Sequence, residues 1–406
     1  MTAAADAATE TIDSPDERPG PARPFHVLGW AAYLGISWTW CIGMFLPVLL
    51  VRDYGLWGWI VFATPNVIGA AAMGWVMTRV RDPEAFDRKH SLAITSFSVV
   101  TAAFHLFFMN WMIARLIPAG GAVAMLAIIP LFIAGLMGAR RRGGAALGVG
   151  DVPAAVAVFA VSLIAWVAYL RYGYGPPLAG EPTRRLAELW WLAPICVFGF
   201  ALNPYLDRTF HYAYRATGRR GGPGAFAIGF GAVFLLMILF TLTYARALAP
   251  VVEERAFVLP GVALWAIGIH MALQGAFTTA IHLRATGRVA TSLLAAALLA
   301  AVIYGLGHAV AGRIHLSPGE SAYRLFMAFY GLVFPAYAWL CMWPDGGRRT
   351  VPARAWLALA IAVGVAAPMF WLGFMHQRTA WLLPGLAVVL LARLSLPRSR
   401  GAGNGA

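Results

Sequence analysis

The chain has 406 residues, of which 60% are hydrophobic and only 12% charged, with a mean hydropathy of +0.71. A soluble domain carries about twice that charged fraction, so the composition excludes an ordinary soluble protein and points to an integral membrane protein. The formal net charge of +14 could suit nucleic acid, but the arginines fall in short loops between apolar stretches, where they act as topology signals beside anionic lipid; no nucleic-acid partner is expected.

Residues 1–24 are rich in Ala, Thr, Pro and acids and lack the basic start and apolar core of a signal peptide. They are expected to form a disordered cytoplasmic tail, as are residues 396–406. Crossing the hydrocarbon core takes about 20 apolar residues. On that rule the sequence predicts twelve spans, near 25–51, 54–80, 91–116, 119–138, 153–170, 187–214, 224–247, 257–283, 289–312, 319–343, 353–375 and 379–395. With the N-terminus inside, 21 of the 31 basic residues fall on the cytoplasmic side and 10 outside. This bias predicts an inner (plasma) membrane protein with both termini cytoplasmic.

The first span clusters Gly35, Ser37, Thr39, Cys41 and Gly43 near its middle, with Pro47 beyond. Trp38 and Trp40 lie deeper than the usual interfacial belt; they either stack on a substrate or pack the core. Span 2 carries Pro65-Asn66 and a small-residue face at Ala70 and Gly74 that permits close packing, and Asn66 needs a partner in lipid. In span 6 Gly199 precedes Asn203-Pro204. Proline lacks an amide hydrogen and crowds the carbonyl four residues back, so the helix is expected to break there. Lipid cannot satisfy freed carbonyls, and such backbone survives only inside protein or beside a polar cavity. Asn203 and Tyr205 are therefore candidate ligand contacts. Asp207 and His211, one turn apart near the cytoplasmic end, suit a solvated helix end, a gate or a proton relay.

Span 8 places His270 and Gln274 near its middle and Thr278 and Thr279 nearer the cytoplasm. Intramembrane polar side chains are often functional, though threonine also bonds its own helix. His105, His270 and His308 show no spacing suited to a haem. Cys41, Cys196 and Cys341 all lie in apolar spans and read as small buried hydrophobes. All 17 acids lie in tails, loops or helix ends, which argues against a proton relay at a span centre. A sodium site built from carbonyls and hydroxyls remains open, because hard cations need only oxygen ligands.

Spans 1 and 6 run in opposite senses and stand five helices apart, as an inverted five-plus-five repeat requires. Repeat 1 would cover about 25–170 and repeat 2 about 187–343, with two extra helices over 353–395. This plan resembles the amino acid–polyamine–organocation superfamily (the LeuT-type fold), its sodium:solute symporter branch above all. The run from Asp53 to Trp59, leading to Asn66 and Gly69, resembles the start of the second helix in that branch. The resemblance implies unwound substrate-binding segments at Ser37–Gly43 and Gly199–Pro204, and a sodium ion held by Thr278 and Thr279. The loop Arg79–His90 lacks the Gly-and-basic pattern of the major facilitator superfamily.

The expectation is an all-α bundle of twelve transmembrane helices. It would act as a secondary transporter of a small organic solute, by alternating access around broken helices 1 and 6. Substrate contacts are expected from Ser37, Trp38, Thr39, Trp40, Gly43, Gly199, Asn203, Tyr205, His270 and Gln274, with gating by Asp207 and His211. No cofactor beyond a coupling sodium ion and no enzymatic activity are expected. The rival reading is a non-transporting sensor or scaffold with a transporter's frame. It gains if the space between spans 1, 6 and 8 is filled by their own side chains.

Overall fold

The computed structural model describes residues 24–117, 150–173, 181–252, 259–342 and 349–396. Every regular element among them is helical. In chain order these are α1 (Pro24–Trp38), α2 (Cys41–Val76), α3 (Pro83–Lys89), α4 (Ser91–Leu116), α5 (Asp151–Tyr172), α6 (Leu189–Leu202), α7 (Arg208–Ile228), α8 (Leu235–Val252), α9 (Gly261–Ala285), α10 (Val289–Ile314), α11 (Pro318–Ala328), α12 (Phe334–Tyr337), α13 (Ala353–Phe374) and α14 (Leu382–Ala392). Wider π-helical turns join α7 to α8 over Gly229–Phe234 and α11 to α12 over Phe329–Val333.

Nine stretches among the described residues are long and apolar enough to cross a membrane. Twelve were expected, and the described residues do not supply the other three. The predicted span over 119–138 lies outside the described residues, and Thr379–Ser395 is apolar but short. Span 1 ends and span 2 begins inside α2, where Gly55 turns the chain at φ +61° without any loop. Span 6 passes into span 7 inside α7 in the same manner, at Gly218 with φ +66°. Both glycines hold a positive φ that a side chain resists.

The surface explains the composition. On α10, Leu294, Leu298, Val302 and Leu306 recur every fourth residue, all exposed; Leu357, Ile361 and Val365 form a similar stripe on α13. Apolar faces of this kind find their solvent in lipid. The interior is packed by α2, α4, α9 and α11, with aromatic residues such as Phe45, Phe97, Phe104 and Tyr323 fully buried. Helix ends follow local chemistry. Asp82 caps α3, accepting the Ala85 amide at 2.8 Å, and Ser317 caps α11, accepting that of Glu320 at 3.2 Å, each with proline at the next position.

Close packing at small residues sets the arrangement around the breaks. A Cβ on Gly35 would sit 2.6 Å from Val233 Cγ1 and 2.7 Å from the Gly229 carbonyl, so α1 touches the start of span 7 backbone to backbone. A Cβ on Gly69 would lie 2.7 Å from the Phe200 carbonyl, the oxygen that Pro204 leaves without its amide.

Candidate functional site

The first break falls at Thr39 and Trp40, between α1 and α2, with Trp40 extended at φ −81° and ψ 177°. Local side chains take the carbonyls that the helix would have used. Ser37 Oγ donates to the Leu34 carbonyl at 3.0 Å and Thr39 Oγ1 to that of Gly35 at 2.8 Å, while the Trp40 indole donates to the Ser37 carbonyl. Neighbouring helices serve the rest. The Cys41 amide donates to His105 Nε2 at 3.3 Å, and Tyr323 Oη donates to the Cys41 carbonyl at 3.1 Å. Pro47 cannot donate to the Gly43 carbonyl, and Thr241 Oγ1 does so instead at 3.0 Å.

The second break is a single 3-10 turn, Asn203–Leu206, followed by extended Asp207 at φ −83° and ψ 106°. Asn203 Nδ2 donates to the Tyr330 carbonyl at 2.8 Å, and its Oδ1 is buried with no hydrogen-bond partner among the described residues. Asp207 caps α7, its Oδ1 accepting from Thr209 N at 2.8 Å and Thr209 Oγ1 at 2.6 Å. His211 Nε2 donates to the Tyr205 carbonyl at 2.9 Å, and its Nδ1 lies 2.8 Å from Asp87 Oδ1. Arg215 holds the other Asp87 oxygen at 2.5 Å. Burial pushes the Asp87 carboxyl up, but the charges of His211 and Arg215 outweigh it and hold the group down at about 2.

The two breaks meet through aromatic rings. Trp38 donates its indole N–H to Asn66 Oδ1 at 2.6 Å, and its ring lies 4.9 Å from that of Phe210 on α7. The Trp40 ring is 5.4 Å from that of His282 and 5.6 Å from that of Tyr330. His282 Nε2 stands 3.8 Å from Asp207 Oδ2. The space between spans 1, 6 and 8 is therefore filled by Trp38, Trp40, Phe210 and His282.

A cavity lies instead beside the second half of the first broken helix and the first half of the second, toward the face opposite the start of α1. Its volume is about 80 Å³, and it is partly open to the surface. Leu50, Ile195, Cys196, Phe200, Met327 and Phe374 make its apolar wall, with Gly199 and Tyr330 at the second break. Asp53, Arg184, Arg324 and Gln377 make its polar end. Those groups belong to a charge lattice at that face. Arg52 binds both Glu320 oxygens at 3.0 and 3.2 Å and Asp53 at 2.7 Å, and Arg324 binds Glu320 at 2.6 Å. Arg184 reaches Glu188 at 3.0 Å and Gln377 at 2.7 Å.

Of the sequence-predicted residues, Ser37, Trp38, Thr39, Trp40 and Gly43 gather at the first break, and Asn203, Tyr205, Asp207 and His211 at or just after the second; Gly199 alone lines the cavity. His270 and Gln274 sit elsewhere, both within reach of Ser162 on α5 at 3.0 and 3.2 Å. Thr279 Oγ1 is spent on the Gly275 carbonyl at 2.7 Å, whereas Thr278 Oγ1 is buried without a partner among the described residues. Asp207 and His211 are fully buried, so neither lies at a solvated helix end. Sequence reasoning missed Arg52, Asp53, Glu320, Arg324 and Tyr330. The Arg52-Asp53 pair closing an apolar run was the available signal; nothing in the sequence marked Tyr330. Among the described residues no group of three or more His, Cys, Asp or Glu is placed to hold a metal.

A helical bundle with lipid-facing apolar stripes and buried helix breaks defines a multi-pass membrane protein. No protein-family model matches the chain, and no curated protein matches it.

Proposed function

We propose that the chain is a secondary transporter of a small organic solute, built on twelve spans with an inverted repeat and extra C-terminal helices, with both termini cytoplasmic. The observation that carries this reading is the pairing of two interrupted helices, packed break against break, with a cavity beside the second half of one and the first half of the other. Two parallel details support the internal repeat: each break is followed by a half-helix that turns into the next span at a positive-φ glycine, Gly55 or Gly218. Broken helices at corresponding positions of two halves are the usual setting of a substrate site, and the LeuT-type resemblance agrees. The cavity's apolar wall and charged end suit a solute with an apolar body and a charged or zwitterionic head.

Sodium coupling rests on the resemblance and on Thr278, the one hydroxyl of the predicted pair still open. The sensor or scaffold reading draws on the filling of the space between spans 1, 6 and 8 by aromatic rings. Purified protein in liposomes separates the readings. A panel of amphipathic zwitterions and organic ions is offered with sodium or proton gradients. Transport predicts accumulation of at least one solute, lost in Gly199→Leu, whose side chain grows toward the Tyr330 carbonyl at 3.0 Å from Cβ. No accumulation of any solute under either gradient would leave the scaffold reading standing. Uptake that ignores the sodium gradient and Thr278→Ala would remove sodium.

A further inference from the structure

Along α9, His270, Gln274, Thr278 and His282 recur at every fourth position, all fully buried. At about 1.5 Å per residue they cover about 18 Å of helix, more than half of a hydrocarbon core about 30 Å thick. Each keeps one polar atom without a hydrogen-bond partner among the described residues: His270 Nε2, Gln274 Oε1, Thr278 Oγ1 and His282 Nε2. Asp207 Oδ2, also unpartnered and buried, ends the row 3.8 Å from His282 Nε2. The remaining atoms of these side chains are held in place. Ser162 Oγ lies 3.0 Å from His270 Nδ1 and accepts Gln274 Nε2 at 3.2 Å, Ser98 Oγ lies 3.3 Å from His282 Nδ1, and Thr209 fixes Asp207 Oδ1.

Buried polar atoms nearly always have partners, and a run of orphans asks for a ligand. These orphans cannot share one metal ion. Neighbours on the stripe stand about 6 Å apart along the axis, whereas a cation gathers its ligands at one point. A file of imidazole, amide, hydroxyl and carboxylate suits a mobile proton passed along hydrogen bonds. We propose that the stripe is a proton path through the bundle and that Asp207 and His282 form the proton-binding pair at its end. One proton arriving from the stripe takes the pair from a carboxylate and a neutral imidazole, together one negative charge, to overall neutrality, and it exchanges between the two sites, so that carboxylic acid and imidazolium are each partly populated. Among the other titratable groups, His211 from α7 acts on Asp207 and His105 from α4 on His282, Asp207 acts in turn on Tyr33 from α1 and Tyr330 beyond α11, and Asp151 from α5 and Arg284 from α9 act on that same Tyr33. Asp151 and Arg284 bind each other through both oxygens, and His211 faces Asp87, so their charges are matched locally. The inference rests on the packing of α9 and stands apart from the transporter reading.

Infrared difference spectra of the full chain in lipid nanodiscs test it. Acidification is expected to raise a carboxylic-acid carbonyl band that Asp207→Asn abolishes and whose midpoint His282→Gln shifts. Tryptophan emission gives a second readout, because Trp40 stands edge-on to His282 at 5.4 Å and an imidazolium there quenches it. This pH transition should vanish in His282→Gln, and it serves alone if Asp207→Asn does not fold. Gln274→Leu and Thr278→Val should leave the midpoint in place and slow the band's appearance after a pH jump several-fold. A band untouched by Asp207→Asn, or no emission transition that His282→Gln removes, overturns the pair; a pH-jump response as fast as wild type overturns the path.

Discussion

The indole N–H of Trp38 has one partner, the Asn66 amide oxygen 2.6 Å away, and both residues are buried. Asn66→Leu strands that N–H at a cost of about 1–3 kcal/mol, and Trp38→Phe strands the amide oxygen in the same way. Replacing both partners removes the mismatch, so the double variant should lose less than the sum of the singles. Denaturant unfolding in detergent micelles reads the coupling, expected at roughly 0.5–3 kcal/mol; strict additivity would mean the bond does not hold the break. At this scale the sequence was readable where a polar side chain had to find a partner inside lipid, as Asn66 did, or could serve its own helix, as Thr279 did. It misled at Asp207 and His211. Their nearness to arginines in the chain suggested solvent, but α3 and α9 fold over that turn, bringing Phe86 to 5.7 Å from the His211 ring and His282 beside Asp207. What covers a helix end is decided by elements far away in sequence.

Both helix breaks were legible because their causes are local: Ser37 and Thr39 compete for carbonyls at the first, and Pro204 removes an amide at the second. The joins between spans were not. A short loop was expected after each broken span, yet Gly55 and Gly218 turn the chain within single helical stretches. Nothing in the strings DYG and ATG distinguishes such a turn from an ordinary loop glycine. Gly218 offers a clean test, since a Cβ there meets no atom within 4 Å and its φ is +66° with ψ 179°. Any cost of Gly218→Ala must come from the backbone, and a region open almost only to glycine costs on the order of 1–3 kcal/mol. Thermal melting in detergent should fall for Gly218→Ala and hold for Gly231→Ala, another open position with an ordinary φ. Equal melting of both variants would show that the turn relaxes without strain.

Across the whole molecule, the charge lattice and the cavity form one unit at the face opposite the start of α1. Asp53, Arg184 and Gln377 line both the cavity and the wider vestibule outside it, so they stand between the two. Arg52 and Arg324 tie the end of span 1 to α11 through Glu320, which is almost fully buried. Removing one member of a buried ion cluster leaves the others uncompensated, and the structure yields there first. Cys196 lines the cavity beneath the lattice, while Cys41 and Cys341 lie elsewhere in the bundle. With those two replaced by alanine, Cys196 becomes the single thiol, and a bulky water-soluble maleimide reports access to the cavity. Glu320→Gln leaves Arg52 and Arg324 competing for Asp53 and should speed Cys196 labelling several-fold. Arg88→Gln, on an exposed pair at the other face, should not change it. If the lattice is instead a fixed brace, labelling in Glu320→Gln stays at the wild-type rate while stability drops. The ratio of those two responses distinguishes a cover that opens from a clamp that only holds.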